Sequence, residues 1–160
     1  MSLLPEGLEL VKIEKEPIPV RICQAEGSGP WFTVLVNPLS VDRFKRLLSK
    51  STLPGGMRPN TKSARDHQAK FERTYCKAVI ADWTGLTVQN FEEVLAGEES
   101  LMGESVEAWK EEGKEIEHSL DLAVYIYQNS WADKFSNPIF TVIQDGVTEE
   151  EEEEDEKNEF

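Results

Sequence analysis

The spacing of apolar residues changes once along the chain, and this change limits the fold more than any other feature. Up to Val36 the apolar residues form short runs rich in β-branched and aromatic side chains, at residues 10–13, 18–23 and 31–36. Beyond Leu39 they recur every three or four residues. The first pattern is typical of strands and the second of amphipathic helices. The sequence therefore predicts an α+β fold, in which a small N-terminal antiparallel sheet precedes a mainly helical region.

The three strand runs differ in their polar faces. In each of the first two runs a basic residue, Lys12 or Arg21, stands between two apolar residues, so one face is buried and the other is wet. The run at residues 31–36 is apolar nearly throughout, which predicts a central strand. Pro17 and the Gly-Ser-Gly-Pro segment at residues 27–30 mark the loops between the runs.

Ser40 predicts the start of a short amphipathic helix. Helical spacing places four apolar residues on its inner side, which are Val41, Phe44, Leu47 and Leu48. Its outer side is basic, with Arg43, Lys45 and Arg46. A basic face could contact RNA, but no aromatic stacking platform lies nearby, so we interpret it as a solvated helix face.

Two further helices are predicted after the loop at residues 51–63. The first begins near Ala64 and ends at Gly85, with one row formed by Phe71, Tyr75, Val79 and Asp82. The second covers residues 88–95, is capped by Thr87, and closes at Gly97.

The C-terminal half adds three helical segments. Residues 106–109 predict a short helix, and residues 116–131 predict an apolar helix that is buried on more than one side. Residues 135–143 are ambiguous, because Ser-Asn-Pro at 136–138 resembles a helix start whereas 139–143 would also form a strand. We favour the helix.

The acidic residues are concentrated at the C-terminus. The last twelve residues hold nine acids and one base, which give −8 of the net charge of −14 and leave −6 for the other 148 residues. Like charges repel one another, and such a segment has little apolar surface to bury. We therefore predict a single α+β domain at residues 1–147 and a disordered acidic tail at 148–160, whose removal should barely change stability.

Composition excludes several classes of protein. With 39% hydrophobic and 30% charged residues the chain suits a globular protein, and its negative charge argues against a nucleic-acid ligand. No stretch approaches the roughly 20 apolar residues that span a bilayer, and the N-terminus lacks the features of a signal peptide. We therefore expect a cytoplasmic protein without membrane contact, in which Cys23 and Cys76 are buried free thiols.

No residue set predicts catalysis. His67 lies in a polar run and is interpreted as a solvated side chain near a helix start. Glu115 and His118 have the Glu-x-x-His spacing of di-iron bundles, but a second copy is missing. The chain also lacks the motifs of a nucleophile elbow, a phosphate loop and a dinucleotide site. We therefore expect no enzyme activity, no catalytic residue, no metal and no cofactor, and the sequence singles out no partner-binding residue.

Residues 78–86 (Ala-Val-Ile-Ala-Asp-Trp-Thr-Gly-Leu) carry the one sharp resemblance in the chain. Together with Phe91, Val94 and Leu95 they are similar to the small tail assembly chaperones of long-tailed bacteriophages and prophages. In that family a helix ends in a Trp-Ser/Thr-Gly-Val/Leu turn before another helix that starts with an aromatic residue. The likeness covers roughly residues 32–143.

The resemblance implies a non-enzymatic chaperone of the host cytoplasm. Such a protein binds the long, helical, aggregation-prone tape-measure protein or another phage tail protein and aids tail assembly. Two alternatives remain open. The chain could be a structural tail component of the virion, or an acidic decoy that inhibits a DNA-binding enzyme.

Overall fold

The computed structural model describes residues 5–8, 16–23, 30–95, 103 and 106–158, with side chains for all of these except 23, 30, 31 and 154–158. Its elements are β1 (Ile18–Cys23), β2 (Pro30–Val36), α1 (Val41–Ser49), α2 (Lys62–Val79), β3 (Ile80–Thr84), α3 (Val88–Val94), α4 (Val106–Glu112), α5 (Leu120–Asn129) and α6 (Ser136–Asn158). The predicted α+β class, a small antiparallel sheet before a mainly helical region, is confirmed. The predicted strand at 10–13 and Gly97 lie outside the described residues.

The sheet has three antiparallel strands in the order β1-β2-β3. Val34 lies opposite Val20 of β1 and Trp83 of β3, so β2 is the central strand, as its apolar sequence predicted. Val20, Ile22 and Val34 are buried together with Phe32 and Val36. This apolar face receives the helices.

The third strand was not predicted, and the expected helix from Ala64 to Gly85 is wrong at its C-terminal end. Helix α2 ends at Val79, and Ile80–Thr84 forms β3. The predicted helical row ends at Val79. Its next member, Asp82, is exposed, whereas Ile80 and Trp83 are buried. Pairing with β3 gives hydrogen-bond partners to the backbone groups of β2 that point away from β1 and that β1 alone would leave unpaired. Gly85 then turns the chain, with a φ of 80° that favours glycine.

The predicted caps of α1 and α3 are confirmed. The Ser40 hydroxyl accepts a hydrogen bond from the Arg43 N–H at 3.2 Å, and the Thr87 hydroxyl accepts one from the Asn90 N–H at 3.2 Å. Val41, Phe44 and Leu47 are buried, as the helical spacing predicted for α1. Leu48, which was expected on the same inner side, is instead exposed, because it lies at the edge of the buried face. The short helix predicted at 106–109 is observed as α4.

Helix α5 is shorter than predicted. It begins at Leu120 rather than residue 116, because the Ser119 side chain caps it by accepting a bond from the Leu122 N–H at 3.2 Å. The preceding segment is extended instead. In that segment the Ile116 N–H donates to the Leu86 carbonyl at 2.6 Å, and Glu115 pairs with Thr87 in an antiparallel bridge.

Helix α6 resolves the ambiguity at residues 135–143 in favour of the helix. Ile139, Ile143 and Val147 of this helix are buried. The structure differs from the expected disordered tail, since α6 continues through the acidic run to Asn158. Glutamate is a good helix former, and the preceding buried turns supply the nucleus that a helix needs.

The helices form one core with the sheet. The Phe32 ring of β2 stacks on Phe135 at 6.4 Å between centroids, and Ala123 and Ile126 of α5 are fully buried. Along α1, Val41 contacts Glu150 of α6 and Phe44 contacts Phe140, so the two helices run antiparallel. Among the described helices, none is both long and apolar enough to cross a membrane.

Candidate functional site

Four helices surround an open groove at the end of the α1–α6 interface. Its volume is about 270 Å³. We call it the aromatic groove and define it by the residues that line it, which are Leu48, Ser51, Phe71, Tyr75, Tyr127, Ser136, Asn137 and Phe140. None of these residues carries a formal charge at neutral pH.

Aromatic contacts build the walls of the groove. On α2 the rings of Phe71 and Tyr75 lie 6.0 Å apart, and Tyr75 contacts Tyr127 of α5 at 5.3 Å. On the other side Phe140 of α6 packs against Phe44 of α1 at 5.8 Å. Interlocked rings at these distances hold one another in place, so the groove is preformed.

The rim is polar but neutral. Ser51 caps the end of α1 by donating to the Leu48 carbonyl at 2.6 Å, and Ser136 and Asn137 belong to the first turn of α6. Burial is the main cause that raises the pKa of Tyr75 and of Tyr127, so both phenols are protonated at neutral pH. The groove therefore presents an apolar floor bordered by hydroxyl and amide groups.

The size and chemistry of the groove favour a protein side chain as its occupant. Small-molecule sites usually have volumes of about 300–1,000 Å³, and a few charged or polar groups in them point at the ligand. This groove, at about 270 Å³, lies at the lower limit of that range, and it has no charged lining. Protein interfaces gain most of their affinity from a few apolar or aromatic anchors in such pockets. Leu48, with 36% of its surface exposed, stands at the entrance.

At the opposite end of α1, the acidic half of α6 contacts the first turn. The Val41 N–H donates to Glu150 Oε2 at 3.3 Å, and Lys45 Nζ lies 3.6 Å from Glu151 Oε1. A carboxylate at a helix N-terminus is favourable because unpaired N–H groups and the helix dipole meet there. The acidic run thus packs on the domain that supports the groove.

Trp83, the central residue of the resemblance, lies in the core. Only 4% of its surface is exposed, and its indole N–H donates to the Ile116 carbonyl at 2.8 Å. The His118 ring meets it edge-on at 4.7 Å. Trp83 thereby joins β3 to the extended segment before α5. None of the motif residues 78–86 lines the groove.

The other residues considered in the sequence do not assemble into one site. Glu115 and His118 lie in the segment before α5, outside any helix, so the Glu-x-x-His spacing does not bring them onto one helical face. His67 is on α2 near its start, but it is half-buried rather than solvated, and its Nε2 has no hydrogen-bond partner among the described residues. Cys76 is a buried free thiol, as expected, whereas the side chain of Cys23 lies outside the described part. Within that part, no cluster of three potential metal ligands occurs.

Sequence reasoning did not group the groove residues, and it placed Ser51 in a loop and Ser136 and Asn137 at the start of a helix. Phe71 and Tyr75 were correctly placed on one helical row, and Tyr127 lies within the apolar helix predicted at residues 116–131. Because these residues are far from Phe140 in sequence, the sequence pattern did not indicate that they line one groove. The available signal was the tyrosines themselves, since a phenol hydroxyl favours the boundary between an apolar core and water.

No protein-family model, curated protein or solved structure matches this chain.

Proposed function

We propose that this chain is a non-enzymatic assembly chaperone for a phage tail protein. Its client would be the tape-measure protein, bound in the host cytoplasm before the tail polymerises. The aromatic groove carries the proposal, because it offers a preformed apolar pocket of about 270 Å³ between helices. An amphipathic helix docks in such a groove by inserting one or two large apolar side chains. The resemblance at residues 78–86 supplies the phage context.

The charge of the chain supports this role. A chaperone holds an aggregation-prone client in solution, and a large net charge opposes association of the complexes. The chain carries −14, and the exposed carboxylates of Glu149, Glu152 and Glu153 contribute to it. Client binding and solubility are thus assigned to opposite ends of α6.

Co-expression with the tape-measure protein of the same phage tests the proposal. We expect a soluble complex that persists in moderate salt, because apolar contacts are not screened as surface ion pairs are. Leu48→Asp should abolish it by placing a charge at the groove entrance. Trp131→Gln is the matched control, since Trp131 is 50% exposed but does not line the groove. Loss of the complex with Trp131→Gln alone would place the binding surface elsewhere.

The alternatives give different results in the same system. A structural tail component would copurify with finished tails, whereas an assembly chaperone should be absent from them. An acidic decoy would bind and inhibit a nuclease in a salt-sensitive manner and would leave the tape-measure protein insoluble. Either result would overturn the proposal.

A further inference from the structure

The basic residues of the chain are concentrated in one stretch. Residues 43–77 hold ten of the 17 lysines and arginines and only two of the 31 acids, so this stretch carries +8 and the rest of the chain −22. The solubility that a large net charge provides does not explain these bases, because they make the net charge smaller. Contact with an anionic surface would explain them.

Three of these bases form a row on α1, which we call the basic row and which consists of Arg43, Arg46 and Lys50. Their i, i+3, i+7 spacing places them on one helical face, and all three are exposed. Within the described side chains, no ion pair engages them. Arg43 stands in the first turn of the helix, where a positive charge is unfavourable. An anionic neighbour would offset this cost and the repulsion among the three charges.

Helix α6 carries a matching row of exposed carboxylates, which we call the acidic row and which consists of Glu149, Glu152 and Glu153. Their i, i+3, i+4 spacing places them on the face of α6 that points away from α1. Within one molecule α1 meets the other face of α6, where Val41 and Lys45 contact Glu150 and Glu151. The basic row and the acidic row of the same molecule are therefore not paired with each other.

We propose that the basic row of one copy of the chain binds the acidic row of a second copy. Charge complementarity identifies this occupant, and a base of α1 already pairs with an acid of α6 inside the molecule, where Lys45 Nζ lies 3.6 Å from Glu151 Oε1. A nucleic acid fits less well, because a polyanion longer than the row would also meet the acids of a remainder that carries −22. The contact leaves the aromatic groove open, since none of the six residues lines it.

The dependence of association on salt tests the electrostatic origin of the contact. Exposed ion pairs are individually weak, so we expect a dissociation constant on the order of 1 mM. At about 0.15 M salt the Debye length of about 8 Å screens repulsion between the two negative molecules more than it screens charges in contact, whereas at 1 M salt the contact is also screened. Static light scattering should show association at the lower salt concentration that disappears at the higher one. Association that persists at 1 M salt, or a wild-type chain that stays monomeric at both, would overturn the proposal.

Two charge-reversed variants test which residues make the contact. The first combines Arg43→Glu, Arg46→Glu and Lys50→Glu, and the second combines Glu149→Lys, Glu152→Lys and Glu153→Lys. Each alone should stay monomeric, because rows of like charge then face each other. Their mixture should associate at about tenfold lower concentration than either alone, because rows of opposite charge face each other again. Attraction between whole molecules does not produce this result, since the variants carry −20 and −8.

A mixture that stays monomeric would overturn the proposal, and so would stronger association of the second variant alone than of wild type. Circular dichroism checks that each variant is folded. If the first variant is unfolded, the neutral variant that combines Arg43→Gln, Arg46→Gln and Lys50→Gln replaces it, and it should associate at about tenfold higher concentration than wild type. Association of this neutral variant at the wild-type concentration would equally contradict the contact.

Reversal of exposed bases on α2 is the matched control. Lys62→Glu, Lys70→Glu and Lys77→Glu combined give the same charge of −20 and should leave association close to that of wild type. Equal loss with this control would mean that net charge rather than the basic row governs association. A fluorescent DNA duplex and a single-stranded RNA, each about 20 nucleotides long, should not bind the wild-type chain. Binding of either one that the first variant abolishes would make nucleic acid the occupant and overturn the proposal.

Discussion

Trp83 links two segments that are distant in sequence through a single side chain. Its ring is buried against the sheet and beside His118, and its N–H satisfies the Ile116 carbonyl. Both contributions are lost in Trp83→Ala, which leaves a large cavity and an unpaired carbonyl. We expect the free energy of unfolding to fall by about 3–5 kcal/mol.

Trp83→Phe separates these two effects, because it keeps an aromatic ring and removes the indole donor. Its free energy of unfolding should lie about 1–3 kcal/mol below that of wild type, because the Ile116 carbonyl is left unpaired. Urea unfolding of the two variants measures both values. A loss below about 1 kcal/mol for Trp83→Ala would mean that the ring does not belong to the core.

Glu150 makes a smaller contribution, and its neighbour provides a control. Its carboxylate accepts from the N–H of Val41 in the first turn of α1, where negative charge is favourable. Glu150→Gln should lower the unfolding free energy by about 0.3–1 kcal/mol, and the difference should shrink in high salt. Glu149→Gln removes an exposed charge and should leave stability unchanged or slightly raised. Equal losses for the two variants would argue against the cap.

At the scale of the elements, the contact between α2 and α5 makes stability depend on pH. Burial, followed by the nearby Glu72 carboxylate, raises the pKa of the Cys76 thiol from its ordinary value of 9.0 to about 12. The unfolded chain therefore loses this proton first. The stabilisation is fully present below pH 9 and is lost as the pH rises toward 12.

The measurement is the free energy of unfolding between pH 8 and pH 11, for wild type and Cys76→Ala. Tyr75 and Tyr127 remain in both proteins, and their raised pKa values act in the same direction. As the pH rises, the free energy of unfolding should fall more steeply for wild type than for the alanine variant. A constant difference in stability caused by the smaller side chain does not affect this comparison of slopes. Parallel curves would exclude a contribution from the thiol.

Helix α6 yields a second prediction at this scale. A chain that ends at Thr148 lacks the helical residues 149–158 and both contacts of the acidic run with α1. Circular dichroism at 222 nm should show a loss of helix, and the unfolding free energy should fall by about 0.5–2 kcal/mol. Glu153→Pro should reduce helicity without shortening the chain. Unchanged helicity after truncation would restore the expectation of a disordered tail.

The elements that sequence reasoning predicted correctly are those with strong local signals. A helix cap is such a signal at Ser40 and at Thr87. The continuous apolar run at residues 31–36 is another, because it indicates a buried strand. The signal for β3 is not local, since Ile80–Thr84 continues a helical row and becomes a strand only through pairing with β2. The groove was missed for the same reason: its walls come from α1, α2, α5 and α6, and only the fold brings them together.

For the molecule as a whole, the acidic C-terminal residues 149–160 carry most of the net charge. Removing residues 149–160 changes the formal charge from −14 to −6, because nine acids and one base are lost. The folded domain would keep its core, since Val147 is the last buried residue among the described side chains of α6. Repulsion between molecules, however, would fall with the charge.

This separation of charge from folding leads to a prediction about solubility. Glu149→Lys, Glu152→Lys and Glu153→Lys combined change the charge from −14 to −8 and retain the full length of the chain. If net charge keeps the protein in solution, this variant and the truncated chain should both precipitate from ammonium sulfate at neutral pH at lower salt than wild type, while remaining folded by circular dichroism. The lysine variant and the truncated chain differ by only two charges. If the lysine variant precipitates at the same salt concentration as wild type and only the truncated chain precipitates at lower salt, the length of α6 rather than its charge is responsible.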